Sequence, residues 1–208
     1  MSNMPSLEPS LEPSLDFWLE YASSYSYPAA ERIDALARAA GVTIRWRPFL
    51  LGPIFLSQGW STSPFNIYPH KGQYMWRDLE RICASLGLAF QRPEPFPQNS
   101  VLAARVALIG FDDGWGENLS RAVYRAEFAD GRDIADAAVI ADILGRLKLD
   151  AAAVLERAQT PENKARLRGE TEEAQRIGIF GAPSFVTADG ELFWGNDRLE
   201  AALAWARR

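Results

Sequence analysis

The sequence predicts an α/β fold in which a large all-helical insertion separates an N-terminal βαβ unit from a C-terminal β-hairpin and helix. Two segments of strand composition, LDFWLEY and VTIRWRPF, flank a stretch of helix composition at 28–40. Near the C-terminus, short strand segments at 184–187 and 191–194 flank the turn dipeptide Asp189-Gly190. Between these two parts, apolar residues recur at helical spacings of three and four.

The N-terminal unit reads strand, helix, strand. Residues 6–15 read SLEPSLEPSL, a repeat whose prolines cannot donate main-chain hydrogen bonds, and we predict a disordered tail over residues 1–14. The first strand starts at Leu15. Pro28 suits the first turn of the following helix and Gly41 suits its end. In VTIRWRPF, apolar and polar residues alternate until Pro48, which is typical of a strand with one buried face.

The middle of the chain reads as helix. In KGQYMWRDLERICASLG the apolar residues share one helical face, and Gly87 is the expected C-terminal cap. Thr160-Pro161-Glu162 is typical of a capped helix start. The remaining helices are predicted near 101–109, near 119–129, near 133–147 and after Asp150.

This order of elements is the plan of a thioredoxin-like fold with a helical block between its two halves. A parallel βαβ unit comes first and a terminal antiparallel hairpin comes last. We therefore expect residues 15–58 and 179–208 to form a thioredoxin-like domain and residues 59–178 to form a helical insertion domain.

Composition excludes several classes of partner. The net charge is −5 and the 22 Lys and Arg residues are dispersed, so we expect no binding of nucleic acid. Cys83 is the only cysteine and His70 the only histidine, which predicts no internal disulfide and no metal site. Because no apolar run reaches the roughly 20 residues that cross a bilayer and no secretory signal is recognisable, we expect no membrane association and a cytoplasmic protein.

The first segment with chemical potential is ASSYSYP, where the first strand leads into the first helix. Unpaired N–H groups at a helix N-terminus favour an anion such as a thiolate, and dithiol oxidoreductases place Cys-x-x-Cys at this turn. Ser23 and Ser26 occupy those positions here. A serine cannot undergo a redox cycle, but its hydroxyl can donate a hydrogen bond to the sulfur of a bound thiol. The alternative is that Ser23 or Ser24 only caps the helix.

The second segment is FGAPS, residues 180–184, directly before the hairpin. A proline at the start of a strand predicts a cis bond between Ala182 and Pro183. A cis bond there would turn the N–H and C=O groups of Ala182 outward, where an extended peptide could pair with them as an added strand. The alternative is an ordinary trans proline that opens an edge strand.

The third segment is WGNDR, residues 194–198, at the start of the last helix. Asn196 could cap that helix, whose free N–H groups suit a carboxylate, and the Asp197 carboxylate suits an ammonium group. A γ-glutamyl group carries both of these charges. The alternative is a capped helix with Asp197 and Arg198 on the protein surface.

Together, the three segments resemble the family of 2-hydroxychromene-2-carboxylate isomerases and kappa-class glutathione transferases, which is related to DsbA-type oxidoreductases. The resemblance runs from about Leu15 to the C-terminus and includes WRPFLLGPIF, SPFNIYPHKGQYMWRDLER, FGAPSFV and FWGNDRLE. It implies glutathione as the cofactor, a small electrophilic molecule as the substrate, and a homodimer, since relatives are commonly dimers.

The resemblance also implies roles for individual residues. Ser23 matches the serine that activates the thiol, and Asn66 with its neighbour Ile67 matches a position that touches the electrophilic substrate. The residues matched to the glutathione site are Ser23, Ala182, Pro183, Trp194, Gly195, Asn196 and Asp197.

Two positions depart from the family pattern. The usual Ser-Pro-Tyr-Ser is Ser-Ser-Tyr-Ser here, and Leu56 stands where many isomerases carry a lysine. Lys71 could supply the missing positive charge, or it could be a solvated surface lysine. Trp76 lies in a segment that we expect to cover the glutathione site. There it could form part of an aromatic pocket for the electrophilic substrate, or it could pack in the core.

The leading hypothesis is a glutathione-dependent isomerase in which the thiolate adds reversibly to an electron-poor alkene. A kappa-like glutathione transferase would use the same residues and stop after addition. A dithiol oxidoreductase or peroxidase is disfavoured because Cys-x-x-Cys is absent. A non-catalytic thioredoxin-fold binding module is disfavoured because all three segments are retained.

Overall fold

The computed structural model of the protein describes residues 13–208 and contains a four-stranded mixed sheet. Its strands are β1 (Ser14–Leu19), β2 (Thr43–Pro48), β3 (Ser184–Thr187) and β4 (Leu192–Trp194). The spatial order is β2-β1-β3-β4, with β1 parallel to β2 and antiparallel to β3, and with β3 antiparallel to β4. The predicted parallel βαβ unit and terminal antiparallel hairpin are thus confirmed.

The predicted tail, residues 1–14, falls almost entirely outside the described residues. Only its last two residues are described, and Ser14 is the first residue of β1, opposite Thr43 of β2.

Helices pack against the strands of the sheet and make up the insertion. Helix α1 (Ser26–Ala40) connects β1 to β2. The other α-helices are α2 (Leu51–Ser57), α3 (Pro64–Ile67), α4 (Pro69–Leu86), α5 (Val101–Asp113), α6 (Gly116–Phe128), α7 (Ala137–Arg146), α8 (Ala151–Ala158), α9 (Pro161–Arg176) and α10 (Leu199–Trp205), and a 3-10 helix spans Asn196–Arg198. Within residues 13–208, none of these helices combines the length and apolar character needed to span a membrane.

Helix ends follow the local sequence where it carries strong cues. Thr160 caps α9, since its Oγ1 accepts a hydrogen bond from the Asn163 N–H at 3.3 Å. Gly41 and Gly87 end α1 and α4 in the left-handed conformation that favours glycine. The sequence did not predict α2 and α3, because both are short and contain proline within an aromatic-rich loop.

The sheet and the insertion share one hydrophobic core. On the sheet side, Phe17 of β1 stacks on Phe185 of β3 with ring centroids 5.4 Å apart and meets the edge of Trp46 of β2 at 4.8 Å. The same buried cluster continues into α5 and α6 through residues such as Val106 and Val123. The insertion therefore packs as part of the sheet's core, which fixes its position relative to the end of β1.

Candidate active site

A cavity of about 900 Å³ lies where the end of β1 meets the insertion. The polar groups on its wall come from all three sequence segments: the side chains of Ser23, Asn196 and Asp197 and the main chain of Ala182. Its apolar wall is formed largely by the insertion and the loops that lead into it, with Leu50, Leu51, Phe55, Trp60, Phe65, Ile82 and Phe96. The cavity thus has one polar side and one aromatic side.

Ser23 joins the first segment to the second. Its hydroxyl donates a hydrogen bond to the Ala182 carbonyl at 2.8 Å. The alternative that Ser23 or Ser24 caps α1 is wrong: the capping position is Tyr25, no side chain accepts from the first turn, and Ser24 donates to the Met75 sulfur at 3.0 Å. The first turn also carries no acidic residue. Its partial positive charge therefore remains available to an anion.

A second hydrogen bond joins the second segment to the third. The Ala182–Pro183 bond is cis, as the sequence predicts. The Pro183 carbonyl accepts from the Gly195 N–H at 2.9 Å, and Ser184 Oγ donates to the Gly181 carbonyl at 2.8 Å. The three segments, separated by up to about 170 residues in the sequence, therefore meet at one side of the cavity.

Asn196 is held by a residue that the sequence analysis missed. The expectation that Asn196 caps the last helix is wrong: neither the 3-10 helix nor α10 has a side-chain cap. Instead, Arg32 of α1 donates to the Asn196 main-chain carbonyl at 2.9 Å and to its side-chain carbonyl at 3.1 Å, and pairs with Glu200 at 2.5 Å. Within residues 13–208 the side-chain N–H groups of Asn196 have no acceptor, so they remain available to a ligand. A contact over 164 residues gives no local sequence cue.

Trp194 and Asp197 complete this side of the cavity. The Asp197 side chain is 73% exposed and its Oδ2 pairs with the exposed neighbour Arg198 at 3.3 Å, which leaves Oδ1 for a ligand. Trp194 packs edge-on against Phe180, with ring centroids 4.9 Å apart. A Cβ at Gly181 would lie 2.4 Å from Trp194 Nε1, so the close approach of the indole requires glycine at this position.

Tyr25 and Asp78 form a further polar pair on the cavity wall. The Tyr25 hydroxyl donates to Asp78 Oδ2 at 3.0 Å. Burial, and then the neighbouring Asp78, raise the pKa of Tyr25 well above its usual value. Tyr25 therefore stays protonated at neutral pH. Neither residue was a sequence candidate, since Asp78 looks like an ordinary charge on the polar face of α4.

The predicted substrate residues divide into two groups. Lys71 lines the cavity. Asn66, Ile67 and Trp76 are not among its lining residues. Asn66 Nδ2 donates to the Phe96 carbonyl at 2.9 Å, and the Trp76 ring meets Phe96 edge-on at 4.6 Å.

Asn66 and Trp76 therefore support the cavity wall through Phe96 instead of forming it. The proline-rich loop before α5 carries Phe96, which contacts both residues and itself lines the cavity. Leu56, at the position of the family lysine, is 68% exposed and also lies outside the cavity lining.

Cys83 does not line the cavity. Cys83 is buried on α4, and burial raises the pKa of its thiol to about 11, so almost no thiolate is present at neutral pH. Across residues 13–208, no group of three His, Cys, Asp or Glu side chains is arranged to hold a metal ion.

Two buried carboxyl groups lie near the end of β1. Burial raises the pKa of Glu20 to about 7, partly offset by a hydrogen bond from Ser100. Glu127 of α6 is 0% exposed, and neither of its carboxyl oxygens has a hydrogen-bond partner within the described residues. Burial raises the pKa of Glu127 well above its usual value.

Glu127→Gln is expected to stabilise the fold at alkaline pH and to change stability little in acid. Below about pH 4.5 Glu127 is protonated in both the folded and the unfolded chain, so its ionisation does not change the free energy of unfolding. As the pH rises above that value, only the unfolded chain ionises, which favours unfolding. Urea denaturation at about pH 4 and about pH 8 checks this, with exposed Glu172→Gln as the control. An equal effect of Glu127→Gln at both pH values would contradict it.

The fold and the three linked segments place the protein among thioredoxin-fold proteins whose active-site turn carries serines where oxidoreductases carry a dithiol. The chain belongs to the family of the DSBA-like thioredoxin domain, whose model matches residues 14–204. The predicted thioredoxin-like fold is thereby confirmed.

Relatives of known function cover most of the chain. It is 29% identical over 185 residues to a 2-hydroxychromene-2-carboxylate isomerase of Sphingobium xenophagum, covering 88% of this chain and 93% of the relative. It is 27% identical over 191 residues to human glutathione S-transferase kappa 1, covering 86% and 84%. A solved structure of a 2-hydroxychromene-2-carboxylate isomerase superposes with a TM-score of 0.82 at 24% identity, covering 92% and 95%.

These relatives confirm the resemblance seen in the sequence. Both curated relatives are named as enzymes, in agreement with the prediction that this chain is an enzyme. The solved structure, at its level of identity, supports the fold alone.

Proposed function

We propose that the protein is a glutathione-dependent isomerase of the 2-hydroxychromene-2-carboxylate isomerase type, acting on an electrophilic, aromatic-derived substrate. The observation that carries the proposal is the hydrogen bond from the Ser23 hydroxyl to the Ala182 carbonyl on the polar side of the cavity. It places a hydroxyl donor, a main-chain acceptor and the N-terminus of α1 at one point, where a bound thiol would lie.

The polar groups on the polar side of the cavity match the individual polar groups of glutathione. The Ala182 carbonyl offers an acceptor for a main-chain N–H of the tripeptide, as in strand addition. The Asn196 amide suits the α-carboxylate of the γ-glutamyl residue, and the Asp197 carboxylate suits its ammonium group. The positive end of α1 and Ser23 then remain for the sulfur.

Ser23 would change partner when the tripeptide binds. An N–H of the ligand takes over the Ala182 carbonyl, which frees the Ser23 hydroxyl to donate to the sulfur. When bound, glutathione supplies a thiolate that adds to an electron-poor carbon–carbon double bond. Ser23 and the first turn of α1 hold that negative charge, and Tyr25, which stays protonated, is a further donor on the same wall. The aromatic side formed by Phe55, Trp60, Phe65 and Phe96 suits a planar substrate.

Isothermal titration with glutathione, followed by an isomerisation assay with 2-hydroxychromene-2-carboxylate, tests the proposal. Binding in the micromolar to millimolar range with turnover supports it. Binding without isomerisation, but with accumulation of a glutathione conjugate, favours the kappa-like transferase, to which the 27% identity with a kappa enzyme also points. The absence of binding would favour a non-catalytic module and refute the proposal.

Lys71→Met is expected to raise the KM for a carboxylate-bearing electrophile by roughly 10- to 100-fold, the cost of losing a hydrogen bond to a charged group. Lys71 lines the cavity and forms no ion pair within residues 13–208, so its ammonium group is available to the substrate. Arg77→Met is the matched control, because Arg77 lies on the same helix, pairs with Glu80 and does not line the cavity. The KM for an uncharged electrophile should not change. Equal effects on charged and uncharged substrates would rule out this role.

The homodimer and the cytoplasmic location implied by the family remain predictions. Light scattering of the purified chain measures the first. The division into a thioredoxin-like part, residues 15–58 and 179–208, and a helical insertion, residues 59–178, is likewise our proposal for how the site is built. The first part would hold glutathione, and the insertion together with the segment around Phe55 would hold the substrate.

A further inference from the structure

Glu20 is a cavity-lining carboxylic acid in the same turn as Ser23. It follows β1 directly, and its main-chain carbonyl accepts hydrogen bonds from the Ser23 N–H and from the Tyr124 hydroxyl, both at 3.0 Å. Only 5% of its surface is accessible. Main-chain contacts therefore fix Glu20 beside the serine that we propose faces the sulfur.

The carboxyl group of Glu20 is buried without a cation. Its Oε1 accepts a hydrogen bond from Ser100, which precedes α5 and also lines the cavity. No Lys, Arg or His side chain within residues 13–208 forms an ion pair with it. The titratable groups that face it are Tyr21 beside it and Tyr124 and Glu127 on α6. Nothing in this environment favours the carboxylate except hydrogen bonds.

Glu127 provides a contrast within the same region. It is equally buried and equally unpaired with a cation, but it does not line the cavity. A carboxyl group that is buried in this way destabilises the folded protein relative to an apolar or amide side chain at the same position. Glu20 differs from Glu127 in that it lines the cavity, as does Ser100, which donates a hydrogen bond to its carboxyl group.

We propose that Glu20 is the proton acceptor and donor of this site, a role that rests on the proposed function. The Glu20 carboxylate takes the proton of the bound thiol. A C–S bond then forms, the π electron pair of the alkene moves to the carbon next to the carbonyl, and Glu20 returns the proton to that carbon as a C–H bond. In reverse, Glu20 takes this proton back as the C–S bond breaks. Over one cycle no proton and no electron is consumed.

The acidity of Glu20 suits this exchange. Burial brings its pKa to about 7, so both protonation states are populated at neutral pH. A carboxyl group with an ordinary pKa would be almost fully ionised at neutral pH, so it would rarely carry the proton that must reach the carbon. Lys71, Asp78 and Asp197 are the other charged residues on the cavity wall.

Glu20→Gln, compared with Glu127→Gln, tests the role. The probe reaction is glutathione with 4-phenylbut-3-en-2-one in D2O, followed by NMR detection of deuterium on the alkene carbon next to the carbonyl. Loss of a positioned acid–base group should reduce incorporation and turnover by about 100-fold or more in Glu20→Gln. Glu127→Gln should match the wild type. Glutathione affinity and thiolate absorbance should persist in both variants, because Ser23 and α1 are unchanged.

Infrared spectroscopy of the protein without glutathione provides a second test. This measurement needs no enzymatic activity, and it remains possible even if Glu20→Gln does not fold. In the Glu127→Gln protein, the C=O stretch of a protonated carboxyl group should be present in mildly acidic solution and should disappear as the pH passes about 7. The absence of a band that titrates in this range would overturn the proposal.

The two proposals fail in different ways. Wild-type incorporation of deuterium together with an unchanged rate in Glu20→Gln would refute the role of Glu20 and leave the glutathione site intact. A wild-type protein that neither binds glutathione nor converts the probe would refute the proposed function and this role with it.

Discussion

Replacing Ser23 with alanine is expected to reduce glutathione-dependent turnover by roughly ten- to a thousandfold, the range for losing a donor that stabilises a developing anion. A free thiol has a pKa near 8.5 and is only a few per cent ionised at neutral pH, so a depressed pKa multiplies the reactive thiolate severalfold or more. The N-terminus of α1 supplies part of this depression and the Ser23 hydroxyl supplies the rest. Ser23→Ala should therefore raise the pKa of the bound thiol.

The measurement is the pH dependence of thiolate absorbance for bound glutathione, together with turnover of an electrophilic probe. Binding should weaken only modestly, because the proposed contacts of Ala182, Asn196 and Asp197 remain. Ser26→Ala is the matched control, since Ser26 is fully buried in the first turn of α1 and does not line the cavity. If Ser23→Ala leaves both the thiol pKa and the rate unchanged, Ser23 only positions Ala182 and the proposed mechanism is wrong.

Replacing Gly72 with alanine is expected to destabilise the protein by about 1–3 kcal/mol and to impair substrate binding, because overpacking forces neighbouring backbone to move. A Cβ at this position of α4 would lie 2.2 Å from the main-chain oxygen of Phe65, in the adjoining α3. The main chain of Phe65 cannot move aside in the way that the end of a flexible side chain can. The two helices must therefore separate, which displaces Phe65 and Lys71 from the cavity wall.

Gly169→Ala in α9 is the matched control. A Cβ there has no neighbour within 4 Å, so alanine should stabilise the helix by about 0.5–1 kcal/mol. Urea denaturation measures both variants, and the KM for the probe should rise in Gly72→Ala alone. Unaltered stability and KM in Gly72→Ala would show that the contact between α3 and α4 does not shape the substrate side of the cavity.

Much of the fold was predictable because its cues are local. The alternation in VTIRWRPF and the Thr160 cap act within a few residues, and both appear in the structure where the sequence placed them. The turn at Asp189-Gly190 also joins β3 to β4, but only Gly190 has a positive φ and β4 begins at Leu192 instead of residue 191. Helices α2 and α3 were missed because short helices that contain proline carry weak propensity signals and depend on packing against their surroundings.

The site was only partly predictable. The family resemblance predicted that Ser23, Ala182 and Asp197 belong to one site, and in the structure all three line the same side of the cavity. It also placed Trp76 at the site, but in the structure Trp76 does not line the cavity and its ring packs against Phe96, which does. Glu20 and Asp78 went unnoticed, because a carboxylate in a sequence looks the same whether it is solvated or buried.

The sequence by itself determined the order of elements, the serine turn and the absence of a dithiol, because each of these depends on residue identity and short-range geometry. Only the tertiary structure decided which side chains meet. Arg32 reaches Asn196 across 164 residues, and the Ser23 hydroxyl meets the Ala182 carbonyl across 159. The acidity of Glu20 likewise follows from its burial beneath the insertion, since the free energy of a charge depends on the solvent that surrounding residues exclude.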